Sequence, residues 1–392
     1  MTGQIKGSVL FPVTQWRRIG GDISVVAWAL QALKADWDVT ILCLENPDFD
    51  ALNSIYGTSL HAADFRIILL PAVYRWICEL DPDPQSIQPL ALLNRACQKI
   101  AAEFDVVLSC DKEMEFGCPG IQYIHFPYLA EHLSALTAME GLGPAKRLAG
   151  LITGKFRPWM LLSNIKPSKL CDNITIANSK WTADLASRVY GTSADVIYPP
   201  VSWGQETGRE NPDPLSFVAV GRFAPKKGQH RIIEILQQVR DRGFGVNLHI
   251  VGDPGPPAKR RYCEQILQMA TPADHWIHLH VGVARPELIK IVNRCQFGIH
   301  ATQDEHFGIA VAEMLRAGCI VFVPDCGGQV EIVGEEPLLR YQSDSDAVEK
   351  ICCLLEDPPE QARLKRALAT RSHQFSEEAF MHSLRRTVAR FV

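Results

Sequence analysis

Two glutamates eight positions apart, Glu305 and Glu313, sit in the stretch FGIHATQDEHFGIAVAEMLRAGCIVFVPDCGGQVEIV, which runs from Phe297 to Val333. Phe297 to His300 are apolar and β-prone, as a buried strand requires. A helical pattern opens near Phe307 and Gly308, with Ile309, Ala312, Met314 and Leu315 on one face and Gly318 at its end. A second apolar strand, Ile320 to Val323, stops at Pro324, and Gly327-Gly328 lead into another helical start. In a parallel sheet both loops fall at the carboxyl ends of the strands, where ligands bind. Both helices then point their positive N-termini there, which suits a phosphate. Glu305 precedes the first helix and Glu313 lies about two turns inside it. The two carboxylates can reach opposite ends of one ligand that carries several hydroxyls. Chance supplies many such pairs, so the value of this one comes from its context.

The cations that such a ligand needs lie upstream. A strand from Leu215 to Val220 leads into GRFAPKKG, which puts Arg222 and Lys227 in one loop before a helix from Gln229 to Asp241. Two cations beside a helix N-terminus make an anion site; two solvated side chains are the alternative. In the first half, a loop from Gln15 to Gly21 contains Arg17, Arg18 and Gly20-Gly21 between a strand (Ser8 to Val13) and a helix (about Asp22 to Ala35). It lacks G-x-G-x-x-G, so no dinucleotide fingerprint is supported, and a tight turn remains the alternative for Gly20. His125, in YIHFPYL, follows a strand end; a structural histidine is the alternative. His249, His278 and His280 alternate with apolar residues and read as ordinary strand positions. Asp81-x-Asp83 and Asp344-x-Asp346 read as structural, the second as the cap of a helix from about Ala347 to Leu355.

These loops need two α/β frames to hold them, and 392 residues with 47% hydrophobic content are enough for two domains. Further strands are expected at Val39–Leu44, Asp64–Leu70, Asp105–Leu108, Ile121–His125, Asn173–Ala177, Val196–Tyr198, Val246–Val251 and Trp276–Val281. Asn178-Ser179 would cap a helix from Lys180 to Tyr190. The alternation implies Rossmann-like parallel sheets. Expected boundaries are 1–201 for the first domain, 202–214 for a linker rich in Gly, Pro and charge, 215–375 for the second domain and 376–392 for a terminal helix.

A net charge of −4 argues against nucleic acid as a partner. The twelve cysteines form no C-x-x-C pair, which suits a reducing compartment and no structural zinc. The N-terminus lacks a signal-peptide pattern, and no apolar run is long enough to span a bilayer. The expected location is cytoplasmic. Residues 141–171 contain no Asp or Glu, and Lys146, Arg147, Lys155, Arg157, Lys166 and Lys169 lie there among Leu, Phe and Trp. That mixture suits peripheral contact with an anionic membrane at its inner face; a buried connection with solvated lysines is the alternative.

The stretch around Glu305 and Glu313 resembles the E-x7-E donor signature of the GT4 family of retaining GT-B glycosyltransferases. The wording HATQDEHFGIAVAE is similar to that of the family's α-1,2-mannosyltransferases of dolichol-linked oligosaccharide assembly. GRFAPKKG matches the family's G-R-x-x-x-x-K-G pattern, and ANSKWTADLASRVYG…VIYPPV resembles the last β-α-β unit of its N-domain. The resemblance implies an α/β GT-B fold: two Rossmann-like domains facing a central cleft, with the C-terminal helix crossing back to the N-domain. It implies metal-independent, retaining transfer of a hexose from a nucleotide-sugar, with GDP-mannose favoured, to a hydroxyl of a glycan or lipid-linked acceptor.

In that family pattern Arg222 and Lys227 hold the diphosphate, Glu305 contacts donor-sugar hydroxyls, and Glu313 the ribose. Amides at Phe307, Gly308 and Ile309 position sugar and phosphate, His125 lines the sugar pocket, and Gly20 and Gly21 approach the phosphates. No cofactor beyond the donor and no protein nucleophile is implied, since the leaving phosphate oxygen can take the acceptor proton on the same face. The chain departs from the pattern in lacking an N-terminal membrane helix, in RIGGD as its first loop, and in a poorly matching acceptor-side domain. A nucleotide-sugar epimerase of the same fold and a non-catalytic sugar or lipid-carrier binding protein are the alternative readings. Walker A, HExxH and serine-hydrolase signatures are absent.

Overall fold

The computed structural model describes residues 5–16, 20–79, 87–153, 158–203, 211–255, 260–271 and 275–392. Arg17, Arg18, Asp81, Asp83, Lys155, Phe156, Arg157 and the middle of the expected linker lie outside the described residues. The chain forms two compact units, one from Met1–Pro200 with Glu377–Val392 and the other from Val201–Ser376.

Among the described residues the first unit is built on seven strands: β1 (Ser8–Val13), β2 (Asp38–Cys43), β3 (Arg66–Leu69), β4 (Val106–Ser109), β5 (Ile121–Ile124), β6 (Ile174–Ala177) and β7 (Ala194–Val196). Their order is β3-β2-β1-β4-β5-β6-β7 and every pairing is parallel. A parallel sheet has both faces covered, which is why β1 and β4 read as unbroken apolar runs. One face holds the helix Gly21–Leu33, which is apolar nearly all round. An all-apolar helix must be buried on every side. The terminal helix Glu377–Phe391 completes that burial through Phe380, Leu384 and Val388, and Arg385 Nε donates to the Ala32 carbonyl at 2.6 Å. Each of those side chains stabilises the contact by roughly 1.5–3 kcal/mol. The other face packs the helix Gln88–Ile100 through Leu90, Leu93 and Cys97.

Among the described residues of 141–171 the chain forms three short helices, Pro144–Ile152, Pro158–Ser163 and Pro167–Leu170. Trp159 and Met160 are buried in the first unit's core, whereas Leu148, Ile152 and Leu162 are exposed. No helix among the described residues is long and apolar enough to cross a membrane.

Among the described residues the second unit has six strands, β8 (Asp213–Val220), β9 (Asn247–Gly252), β10 (Ile277–Val281), β11 (Cys295–Ile299), β12 (Ile320–Pro324) and β13 (Arg340–Tyr341). Their order is β10-β9-β8-β11-β12-β13, again wholly parallel. Phe217 of β8 pairs with Phe297 of β11 in register, and their rings stack at 4.9 Å. Gly298 of β11 lets the helix Ile309–Arg316 approach closely, since a Cβ there would lie 2.8 Å from Met314 Sδ.

Two local expectations are corrected. The strand expected at Val196–Tyr198 is Ala194–Val196, because Pro199-Pro200 offer no amide to a ladder and the chain leaves the sheet earlier. Asp344 and Asp346 do not cap the helix, which starts at Asp344 with Ser343 as N-cap, its hydroxyl accepting from the Asp346 amide. The carboxylates instead occupy the first turn, where the dipole favours them. The three strand histidines do lie on β9 and β10, where they are neighbours: His249 Nδ1 lies 3.0 Å from His280 Nε2, and the His249 and His278 rings stack at 4.8 Å.

Candidate functional site

The second unit gathers its charged residues at the carboxyl ends of β8 and β11. Lys227 lies in a 3-10 turn, Pro225–Lys227, after β8. Glu305 lies in the loop that leaves β11. Lys227 Nζ meets Glu305 Oε2 at 2.5 Å, and His300 Nε2 lies 3.3 Å from the same oxygen. His300 is held rigidly: its amide donates to the Phe322 carbonyl at 2.9 Å, and its carbonyl accepts from the Tyr341 hydroxyl at 2.5 Å. Burial alone would raise the Glu305 carboxyl, but the His300 hydrogen bond and the Lys227 charge together hold it well below the usual carboxylate range. The result is a sheltered carboxylate that stays ionised and can accept hydrogen bonds from hydroxyls.

The helix Ile309–Arg316 begins next to this cluster, with Gly308 as its N-cap at φ 102°. Its first amides have no intrahelical acceptor and carry the positive end of the dipole. Phe307 is buried, and its ring meets Phe375 edge-on at 5.7 Å. The glycine loop after β12 docks on the backbone of Glu305. Gly328 N donates to the Glu305 carbonyl at 2.7 Å. At Gly327 the φ of 75° and a Cβ that would sit 2.5 Å from that carbonyl both require glycine. Buried Gln329 ties the two loops by donating to the Thr302 carbonyl at 2.7 Å and the Cys326 carbonyl at 3.1 Å.

Glu313 projects from the same helix, and its Oε1 pairs with Arg285 Nη1 at 2.5 Å. Arg222 is exposed, and no ion pair is formed by it among the described residues. Its carbonyl accepts from Gln229 at 2.9 Å, which fixes the loop rather than the guanidinium. Sequence reasoning missed Arg285, Gln329 and Tyr341. The signal for Arg285 was a cation at the start of a helix, Arg285–Arg294, where the dipole disfavours it and an acidic partner is needed.

The first unit places its candidates at the corresponding strand ends. Gly20 and Gly21 open the helix Gly21–Leu33, and the Tyr56 hydroxyl accepts from Gly20 N at 3.1 Å and donates to its carbonyl at 3.0 Å. Gly20 is extended, at φ −173°, so its backbone does not demand glycine. His125 follows β5, with Nε2 2.9 Å from the Cys110 carbonyl, and the Asn178 amide donates to its carbonyl at 3.1 Å. Beside it, Thr14 after β1 donates through its amide to Asp111 Oδ2 after β4 at 3.0 Å, and its hydroxyl donates to the same oxygen. Buried Glu113 accepts from Leu129 N at 2.5 Å and the Tyr190 hydroxyl at 2.5 Å, while its Oε2 has no partner among the described residues.

Two parallel-sheet Rossmann-like units define the GT-B class of protein. The structure of Anabaena HepE in complex with UDP superposes with a TM-score of 0.67, at 16% identity, over 97% of this chain and 99% of that one. WaaG, a glycosyltransferase involved in lipopolysaccharide biosynthesis, superposes at 0.61, with 14% identity over 98% of this chain and 99% of its own. Residues 205–371 match the model of the family Glycosyl transferases group 1.

Among curated relatives, the GDP-Man:Man(3)GlcNAc(2)-PP-Dol alpha-1,2-mannosyltransferase of Neurospora crassa is 24% identical over 67% of this chain and 54% of its own length. The enzyme of that name from Homo sapiens is 20% identical over 67% of this chain and 59% of its own. The chain thus spans about half the length of these curated relatives.

Proposed function

We propose that this protein is a glycosyltransferase that moves a hexose from a nucleotide-sugar to a hydroxyl of a glycan or lipid-linked acceptor. The observation that carries this reading is the Lys227–Glu305–His300 cluster beside the start of the helix Ile309–Arg316. A donor diphosphate needs fixed positive charge as it departs, and lysine, guanidinium and amide dipoles supply it. In this reading Lys227 and Arg222 hold the diphosphate, the amides from Phe307 to Ile309 position it, and Glu305 takes sugar hydroxyls. Glu313 takes the ribose, and His125, Gly20 and Gly21 are the further residues assigned to donor contact. The favoured donor is GDP-mannose, on the wording shared with the α-1,2-mannosyltransferases, and transfer retains configuration without a metal. The first unit takes the acceptor. The exposed Leu148 and Ile152, with the basic residues between 141 and 171, suit contact with an anionic lipid surface.

Thermal denaturation with GDP, UDP, ADP, GDP-mannose, UDP-glucose and UDP-N-acetylglucosamine tests the donor, since a ligand of the native state raises Tm by mass action. Selective stabilisation by GDP and GDP-mannose is expected. Stabilisation by uridine species would replace the mannose assignment, and no shift with any of them would overturn the transferase reading. Co-sedimentation that does not change with the anionic-lipid content of liposomes would remove the membrane contact.

A further inference from the structure

Arg285 makes three contacts that no part of the donor reading uses. Its Nη1 pairs with Glu313 Oε1 at 2.5 Å, its Nη2 donates to the Ser202 carbonyl at 2.7 Å, and its guanidinium lies over the Trp203 ring, 5.1 Å from the centroid. Trp203 is held in turn, its Nε1 donating to Asn293 Oδ1 at 3.2 Å. Ser202 and Trp203 belong to the segment by which the chain enters the second unit, which begins at Val201. That segment is tied down twice more: Arg316 Nη1 donates to the Val201 carbonyl at 2.6 Å, and Val201 N donates to the Phe375 carbonyl at 3.0 Å. Phe375 lies where the chain leaves this unit, and its ring packs on Phe307, beside the cap of the Glu313 helix. Among the described residues Glu313 Oε2 has no hydrogen-bond partner, so one carboxylate oxygen is anchored and the other is open.

We propose that Arg285 is a positioning residue that orients the Glu313 carboxylate for a vicinal diol of a nucleotide ribose and couples its engagement to the entry segment at Ser202 and Trp203. The inference rests on the proposed nucleotide-sugar site. A planar guanidinium offers several donors in a fixed fork and can stack at the same time, so one side chain can hold a carboxylate, a carbonyl and a ring. A diol that draws the carboxylate towards itself alters the charge facing Nη1, and Nη2 and the stacked ring respond together because the fork is rigid.

The test compares GDP with 2′,3′-dideoxy-GDP by calorimetric titration of the full chain. Wild type should prefer the ribose by roughly tenfold or more, as a hydrogen bond to an ionised group allows. Arg285→Ala should reduce that preference to about the level of Glu313→Ala while diphosphate-dependent affinity persists, and Arg285→Lys should recover only part, since an ammonium lacks the fork. Backbone hydrogen exchange gives a second readout: GDP should change exchange at Ser202 and Trp203 by roughly twofold or more in wild type and leave it unchanged in Arg285→Ala. An undiminished ribose preference in Arg285→Ala overturns this inference and leaves the donor site standing. Absence of nucleoside diphosphate binding in wild type overturns both.

Discussion

Glu305 in the second unit and Glu113 in the first are both sheltered carboxyls just past a parallel strand, and they have opposite fates. Glu305 faces a lysine and a histidine, and its carboxyl is held low. Glu113 is 1% exposed, with the Leu129 amide and the Tyr190 hydroxyl as donors. Burial wins there and raises its carboxyl, the two hydrogen bonds offsetting only part. Neutral donors do not replace a formal positive charge in a poorly polarisable surrounding. The cationic partner makes Glu305 a ready acceptor for substrate hydroxyls, whereas Glu113 serves as a brace between Leu129 and Tyr190.

Breaking each carboxyl should separate function from stability. Glu305→Ala should lower sugar transfer by on the order of 100- to 1,000-fold, the scale of losing one electrostatic contact at a reacting group, with the fold retained and only the stability of its ion pair with Lys227 lost. Wild-type turnover in that variant would contradict the assignment. Glu113→Ala should do the reverse, leaving the buried Leu129 amide without an acceptor at about 1–3 kcal/mol, stripping the half-buried Tyr190 hydroxyl of its partner, and lowering Tm. A variant that melts like wild type would show that Glu113 braces nothing.

Lys227→Ala sharpens the comparison by removing the charge that distinguishes the two. Nucleoside diphosphate binding should weaken by roughly tenfold or more, well beyond any loss for the nucleoside, and equal losses would contradict a phosphate role. The Glu305 carboxyl should also rise toward its ordinary range, which carboxyl-selective NMR titration would follow.

Acid titration of stability separates the pair with smaller effects. The folded-state pKa of Glu305 lies below its ordinary 4.5, so its contribution is present above that pH and lost as pH falls below it. The folded-state pKa of Glu113 lies above 4.5, so its contribution is full below that pH and lost as pH rises through the raised value. Denaturation midpoints across pH should therefore lose acid sensitivity in Glu305→Gln, whereas Glu113→Gln should lose the decline on the alkaline side.

The smallest effect is expected at the strand histidines, a third sheltered group with little help from opposite charge. Burial and the neighbouring His278 and His280 lower His249 from 6.5 to about 4, against a weaker opposing effect of Asp213. A depressed histidine stabilises the fold above its unfolded pKa, and that contribution fades as pH falls from 6.5 toward 4. His249→Leu should flatten the stability profile in that window, and an unchanged slope would mean that the stacked rings are not coupled.

The period of apolar residues by itself determined the alternation of strands and helices, because a buried parallel strand and a core-facing helix each impose a pattern visible along one chain. The same reading put Glu305 and Lys227 at strand ends and Gly327 in a loop, since polar residues after an apolar run mark where the chain leaves the sheet. It could not tell that Lys227 meets Glu305 across 78 residues, because that contact exists only once β8 lies beside β11. Nor could it distinguish Arg222 from Lys227, cations of one loop, of which Lys227 meets Glu305 and Arg222 forms no ion pair among the described residues. Arg285 escaped notice because its partners, Glu313 and the Ser202 carbonyl, lie 28 residues after it and 83 before it. The histidines of β9 and β10 looked ordinary because a period-two pattern assigns a face and says nothing of what the neighbouring strand brings to it. Local spacing carries the elements and the chemical types at their ends; strand order and register decide which charges meet, and through that meeting whether a buried carboxyl stays ionised.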